Sequence, residues 1–349
     1  MKIILYIFFV QLGLALSTAD KLSVNNLDIK GAIFGRSANN EGSNTTKLPS
    51  NSTDEHDAEL ITKVIREIGG KTPDDDSPSK YSPKRDQPEY VASHPSSEAE
   101  AYRVMSFASL AYCTVPSVEK MTCQACQHVQ GAEVSQIFSD RDTTGRAVLL
   151  LDKKRDEIIL TFRGSHTLDN WISNLVFFLT PALYAKDTQV HYGFKQACDA
   201  LMFNIFDPLK KILNEHPNYK LIITGHSLGA AVATLAASDL LHRKMITPKR
   251  LHLFTYGEPR TGNLAFVRWL NSQPAHITRV VNENEIVPHV PPASFGSAHH
   301  STEMYIHNNK SRICSTKEIE DPTCSLSRFP NLSILNHLRY WDVYMTCND

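Results

Sequence analysis

The stretch Leu221–Leu240, LIITGHSLGAAVATLAASDL, constrains the fold more than any other part of the chain. An aliphatic and β-branched run breaks at Gly225, Ser227 stands between Gly225 and Gly229, and an Ala/Leu-rich run follows. This order predicts a strand, a tight turn and a helix. The two glycines answer a steric demand. A serine held on a strained strand-to-helix turn needs neighbours without side chains, so that the flanking segments can pass. An ordinary helix-start serine is the competing reading. The strand before and the helix after match the context that a nucleophile requires, so Ser227 is the candidate nucleophile. The N-terminus of the helix behind it would also stabilise a developing oxyanion.

Around this stretch the same alternation repeats. Residues 97–112 read as a helix. "GRAVLLLD", "EIILTFRGS", "YKLIITG", "RLHLFTYG" and "HITRVVNEN" read as strands. Residues 194–216 carry apolar positions at helical spacing, and the helix after Gly225 runs from Ser227. Continuous apolar strands alternating with helices indicate the α/β class, with a mainly parallel sheet covered on both faces. Ligands of such sheets bind beyond the carboxyl ends of the strands. Hydrophobic residues make up 42% of the chain, enough for a sizeable core, and a net charge of −1 gives no reason to expect a nucleic-acid partner.

The N-terminal part has a different character. Lys2 precedes an apolar run from Ile3 to Leu16, which is followed by small residues. The run is too short to span a bilayer and suits a secretory signal peptide over residues 1–19. No other stretch is long enough for a membrane span. Residues 20–85 are polar and poor in aromatics, which predicts a largely disordered segment. One island over 58–70 places Leu60, Ile61, Val64, Ile65 and Ile68 on one helical face. Lys84-Arg85 is a dibasic pair in a Pro-flanked loop, so 20–85 reads as a propeptide and 86–349 as a single domain. Glycosylation sequons begin at Asn44, Asn51, Asn309 and Asn331.

All seven cysteines lie beyond residue 85, which in a secreted chain reads as a disulfide framework with one left over. Cys198, inside an expected helix, is the odd one, a buried free thiol. Cys123-Gln-Ala-Cys126 has no second CxxC and no redox context, and reads as a local disulfide. His299-His300 are adjacent and do not face one ligand. With no phosphate-cradling loop either, no metal and no cofactor is expected.

A serine nucleophile needs a base and an acid, and on this architecture they follow it as Ser, Asp/Glu, His. His337 is the last histidine, in "LSILNHLRYWDVY", and "RVVNENEIVPHVPP" offers Glu283 and Glu285 after a strand. From about residue 97 onward the chain resembles the secreted filamentous-fungal triacylglycerol lipases of the class-three family, of Mucor/Rhizopus type. The likeness is carried by "LTFRGS", "NWISNL", "HYGF", "TGHSLGA", "YGEPRTGN", "VNENEIVPHVPP" and "LNHLRYW", in the family's order and at similar spacing.

The resemblance implies an α/β-hydrolase-like fold with a short helical lid. It implies Ser227 as nucleophile, His337 as general base and Glu285 as triad acid. The family's acid is usually Asp, so Glu285 is a departure, and Glu283 remains the alternative. An oxyanion hole of Ser165 and the Leu228 N–H is also implied, with Ser165 as a helix cap the competing reading. So are disulfides Cys113–Cys347, Cys123–Cys126 and Cys314–Cys324, and a substrate groove of Tyr112, Val287, Pro291, Phe295 and Leu338, all of which are equally good core residues.

Leu168, Trp171, Ile172 and Leu175 fall at i, i+3, i+4 and i+7, with polar residues between them. This two-faced segment corresponds to the family's lid, whose apolar face meets the lipid–water interface when open. The expected function is therefore a secreted, extracellular serine esterase hydrolysing acylglycerols through an acyl-enzyme, with no obligate protein partner. The rivals are a phospholipase A1 or feruloyl-type esterase on the same fold, and a non-catalytic lipid- or protein-binding homologue. A carboxylate beside His337 is expected to raise the imidazole's pKa.

Overall fold

The computed structural model describes residues 96–140, 145–165, 177–316 and 319–347. The expected signal peptide, the expected propeptide with its 58–70 helix, and the lid residues Leu168, Trp171, Ile172 and Leu175 lie outside the described residues.

Eight strands form the main sheet in sequential order. They are β1 (Ala132–Ser139), β2 (Arg146–Asp152), β3 (Glu157–Phe162), β4 (Lys220–His226), β5 (Leu251–Tyr256), β6 (His276–Asn282), β7 (Glu303–His307) and β8 (Lys310–Ile313). From β3 to β7 every pairing is parallel, while β1, β2 and β8 add antiparallel margins. The parallel strands β3 and β5 are buried along their whole length, which is why they read as continuous apolar runs. β1 is an edge strand with most of its residues partly or fully exposed. Its sequence, AEVSQIFS, carries a bulge between Val134 and Gln136 that breaks the two-residue alternation.

Among the described residues, the longer helices covering the sheet are α1 (Glu98–Leu110), α2 (Tyr192–Glu215), α3 (Leu228–His242) and α4 (Leu264–Asn271). Alternate side chains along each strand separate the core into two layers. Leu149, Leu160, Ile223 and Leu253 pack with Leu201, Ile205 and Leu209 of α2 and with Ala231 and Leu235 of α3. Val148, Ile159, Ile222 and Phe254 pack with Val104, Phe107 and Ala108 of α1 on the opposite face. This is the α/β-hydrolase architecture.

Helix boundaries follow local capping. Ser97 Oγ accepts the Glu100 N–H and starts α1, whose last helical residue is Leu110. His191 Nδ1 accepts the Phe194 N–H, so α2 begins at Tyr192, two residues earlier than the apolar spacing suggests. Disulfides join Cys113 to Cys347, Cys123 to Cys126 and Cys314 to Cys324. Cys198 is free and buried in α2, where burial pushes its thiol far above the usual range.

The consequence for chemistry is positional. Gly164 and Ser165 follow β3, Ser227 follows β4, Gly257 follows β5 and Glu285 follows β6, all at the carboxyl edge of the parallel strands. Phe162 pairs with Gly225, so the β3 exit and the β4 exit lie side by side.

Candidate active site

Strand β4 ends at His226 and α3 starts at Leu228, which leaves Ser227 alone in the turn at φ 59°, ψ −130°. A non-glycine residue in that region is strained by roughly 1–3 kcal/mol, and the surrounding structure must hold it. The glycines make this possible. A Cβ on Gly225 would strike the backbone of Gly229, and one on Gly229 would strike the carbonyl of Phe162. Without side chains there, the start of α3 passes directly across β3 and β4. Ser227 is buried, and its Oγ has no hydrogen-bond partner among the described residues.

His337 sits on a single helical turn, Leu335–Leu338, and is completely buried. Its Nε2 also has no partner among the described residues. A hydroxyl that can donate and an imidazole nitrogen that can accept are thus both left unsatisfied. On the other side of the ring, Nδ1 lies 2.5 Å from Glu285 Oε2. That oxygen also receives the Tyr340 hydroxyl at 2.6 Å, and Oε1 receives the Asn282 N–H at 2.6 Å.

Three donors around Glu285 suit an ionised, acceptor-only carboxylate. Burial pushes its pKa up, opposed by the hydrogen bonds from Tyr340 and Asn282. Burial also holds the His337 imidazole below its usual value. The direction is opposite to the one expected from the neighbouring carboxylate alone, because the ring is completely removed from solvent and desolvation penalises its charged form. The outcome is a neutral base.

The second carboxylate considered, Glu283, is directed elsewhere. It stands at φ 50° and lies 2.6 Å from His307 Nδ1. The turn it makes carries Glu285 back under the end of β6. His299 and His300 likewise bond to separate partners, the Pro288 carbonyl and Glu258, each at 2.7 Å.

Several residues that the sequence did not single out hold this arrangement. His226 Nε2 lies 2.8 Å from the His337 carbonyl, which can only accept. Nε2 therefore carries the hydrogen, and Nδ1 accepts from the Tyr112 hydroxyl at 2.8 Å. The Asn282 side chain donates to the carbonyls of Asn336 and Arg339, fastening the His337 segment to the end of β6. Gly257, at φ 55°, lies so close that a Cβ would collide with Glu285, His337 and Tyr340. Tyr340 was within reach of sequence reasoning, three residues after His337 in "LNHLRYW". For Asn282 and His226 the bonds are long-range and left no local signal.

The Leu228 N–H belongs to the first turn of α3, where no intrahelical carbonyl is available to accept it. Ser165 is partly buried and follows Gly164, on which a Cβ would stand 3.2 Å from that of Ser227. Tyr112 is half-buried against His226. Val287 is buried two residues after Glu285, and Pro291 is buried with its carbonyl accepting from Arg260. Phe295 is half-buried with its ring 5.1 Å from that of Phe177, and Leu338 is half-buried directly after His337.

Comparison with known proteins gives a consistent set of relatives. The family described as Lipase (class 3) matches residues 159–295. A lipase of Rhizopus niveus is 35% identical over 288 residues, covering 79% of this chain and 73% of that protein. A solved structure described as a serine protease triad forming the catalytic centre of a triacylglycerol lipase is similar with a TM-score of 0.68 and 31% identity, over 71% of this chain and 95% of that one. The native propeptide complex of Rhizomucor miehei lipase is similar with a TM-score of 0.67 and 28% identity, over 78% and 92%.

Proposed function

The chain belongs to the class-three lipase family, and on that footing we propose that it is a serine esterase that hydrolyses acylglycerols through an acyl-enzyme. One observation carries the reading: Ser227 Oγ and His337 Nε2 are both buried and unpartnered, with Glu285 bonded to the far side of the imidazole.

In this mechanism Ser227 attacks the ester carbonyl while His337 Nε2 takes its proton. Glu285 fixes the tautomer with the hydrogen on Nδ1 and stabilises the imidazolium as it forms. The Leu228 N–H and Ser165 receive the oxyanion, a contribution of about 3–4 kcal/mol for each well-placed donor. His337 returns the proton to the departing glycerol oxygen, and water then repeats the sequence on the acyl-enzyme. Tyr112, Val287, Pro291, Phe295 and Leu338 line the acyl groove.

The lid reading rests on the apolar spacing of Leu168, Trp171, Ile172 and Leu175 directly after Ser165. An apolar face of that kind suits a lipid–water interface and gives no advantage with small polar esters. Among the described residues no helix is long and apolar enough to cross a membrane. The chain acts outside the cell, after loss of residues 1–19 and of a propeptide ending at Arg85. The propeptide complex of the Rhizomucor lipase supports that division.

The test is hydrolysis of a short-chain triglyceride across its solubility limit, with wild type and Ser227→Ala. Wild type accelerates when droplets appear, and the variant is inactive while retaining its Tm. Turnover by the variant at the wild-type rate overturns the mechanism.

A further inference from the structure

A cavity whose lining includes none of Ser227, Glu285 and His337 opens beside the loop after β6. It has a volume of about 420 Å³ and is lined by Glu283, Asn284, Ser327, Arg328, Phe329 and Asn331. That volume falls within the range of roughly 300–1,000 Å³ typical of small-ligand sites. Its lining is unlike an acyl groove, with charged and amide side chains around a single aromatic ring. Such a composition fits a ligand that has many hydroxyls on its edge and a flat C–H face.

One lining residue is also a covalent attachment point. Asn331-Leu332-Ser333 is a glycosylation sequon, and Asn331 is exposed. Phe329 precedes it by two residues, across Pro330, and both residues line the same cavity. A sugar on the Asn331 amide therefore starts beside the Phe329 side chain.

The polar wall is ordered before any sugar arrives. Arg328 bonds to the Tyr305 hydroxyl at 2.7 Å and to His307 Nε2 at 2.8 Å, and His307 bonds to Glu283. Asn284 Nδ2 donates to the Asn331 carbonyl at 2.8 Å, which fixes the attachment point against the wall.

We propose that Asn331 carries an N-linked glycan whose first N-acetylglucosamine packs on Phe329 and fills this cavity. The proposal rests on the secretory reading above. The donor is an oligosaccharide held on a lipid pyrophosphate. Asn331 Nδ2 bonds to C1 of the sugar, the C1–oxygen bond to the pyrophosphate breaks, and the amide gives up one proton to solvent as the lipid pyrophosphate leaves. No oxidant or reductant is needed.

The location has a consequence for the catalytic segment. The Ser333 N–H donates to the Asn284 carbonyl at 2.8 Å, and the Ile286 N–H donates to the Ser333 carbonyl at 3.1 Å. The segment from Asn331 to His337 is thus zipped onto the loop that carries Glu285, and a sugar seated at its start would fasten it further.

The experiment is peptide mapping of full-length protein made in a eukaryotic secretory host, from its own N-terminus and, in parallel, from a heterologous signal peptide. The expected result is a hexosamine-bearing Asn331 peptide in which enzymatic deglycosylation leaves an aspartate at the attachment position. An unmodified Asn331 in protein exported by the heterologous signal overturns the proposal. Export by that signal but not by the native N-terminus overturns the secretory reading alone. Seating on the ring is read by a double-mutant cycle of Phe329→Ala and Asn331→Gln. Each single change is expected to lower Tm by about 2–4 °C, with the double variant falling well short of the sum. Strictly additive shifts overturn the seating.

Discussion

Tyr340 and Glu285 share a hydrogen bond of 2.6 Å, placed on the same carboxylate oxygen that meets His337. The carboxylate is thereby held by three groups. The Tyr340 hydroxyl lies at one side, the imidazole at another, and the Asn282 N–H engages the second oxygen. Glu carries one more methylene than an Asp, and the three bonds fix the carboxylate at the end of that longer arm.

Removing the hydroxyl with Tyr340→Phe takes away a bond that lowers the Glu285 pKa. The carboxyl moves further toward its neutral form and orients His337 less well. A hydrogen bond to a charged group contributes about 1.5–3 kcal/mol, so kcat/KM is expected to fall by at least about 10-fold. Steady-state kinetics on a soluble ester checks this, and wild-type kinetics in the variant would show that Tyr340 does not hold the acid.

Gly257→Ala is expected to damage site and fold together. The position has φ 55°, and the new methyl would meet Glu285, His337 and Tyr340 at once. Backbone strain of about 1–3 kcal/mol should appear as a lower denaturation midpoint. Displacement of the triad should reduce kcat by about 100-fold. An alanine variant of normal activity is the outcome that contradicts this packing.

Cys113 and Cys347 are 234 residues apart in sequence. Cross-linking so long a loop limits the unfolded chain, a gain of about 5 kcal/mol on the chain-entropy account. The double variant Cys113→Ala/Cys347→Ala is therefore expected to unfold at much lower denaturant. The Cys123–Cys126 pair, only 3 residues apart, should matter far less. Urea titrations of the two double variants rank them, and equal losses contradict the loop-length argument.

Stability should also fall on acidification below neutrality. Burial lowers the pKa of His226, His252, His289, His299 and His337, to about 3 for His252 and His289. In the unfolded chain these rings take up protons below about pH 6.5, whereas the folded protein keeps them neutral until the pH drops toward the lowered values. Between those limits the unfolded state binds more protons on these five rings, which outweighs the opposite contribution of Glu285 with its raised pKa, and each ring removes up to about 1.4 kcal/mol per pH unit as the pH falls. The urea midpoint at pH 5 should lie below that at pH 7. A midpoint that does not move would count against buried neutral histidines.

How far the sequence revealed the molecule varied with the range of the forces involved. β4, the elbow and α3 were legible because a continuous apolar strand, two obligatory glycines and an Ala/Leu helix are local signals. β1 was not, since its bulge and exposure spoil the alternation. β7, with β8 turning back at the sheet margin, gave no pattern strong enough to read. Within the site, the order of Ser227, Glu285 and His337 was readable from spacing and family likeness. The family likeness implied Glu285, with Glu283 as the alternative; the physical reason that Glu285 rather than Glu283 meets His337 is the positive φ of Glu283, which turns that side chain toward His307. The roles of Asn282 and His226 depend on partners 54 and 111 residues away.

The segment after Ser325 is built from single turns and two-residue strands, yet it carries His337 and Tyr340. Apart from Tyr340 and Met345 in the core, its hold on the sheet comes from Asn282, Asn284, His226 and the terminal disulfide rather than from a ladder of its own. Segments of this kind open sub-globally at free energies below that of the whole domain. Heating should therefore disassemble the catalytic constellation while the parallel strands remain intact. Inactivation would then precede the main calorimetric transition and would reverse on cooling, which makes this peripheral strap the thermostat of the enzyme.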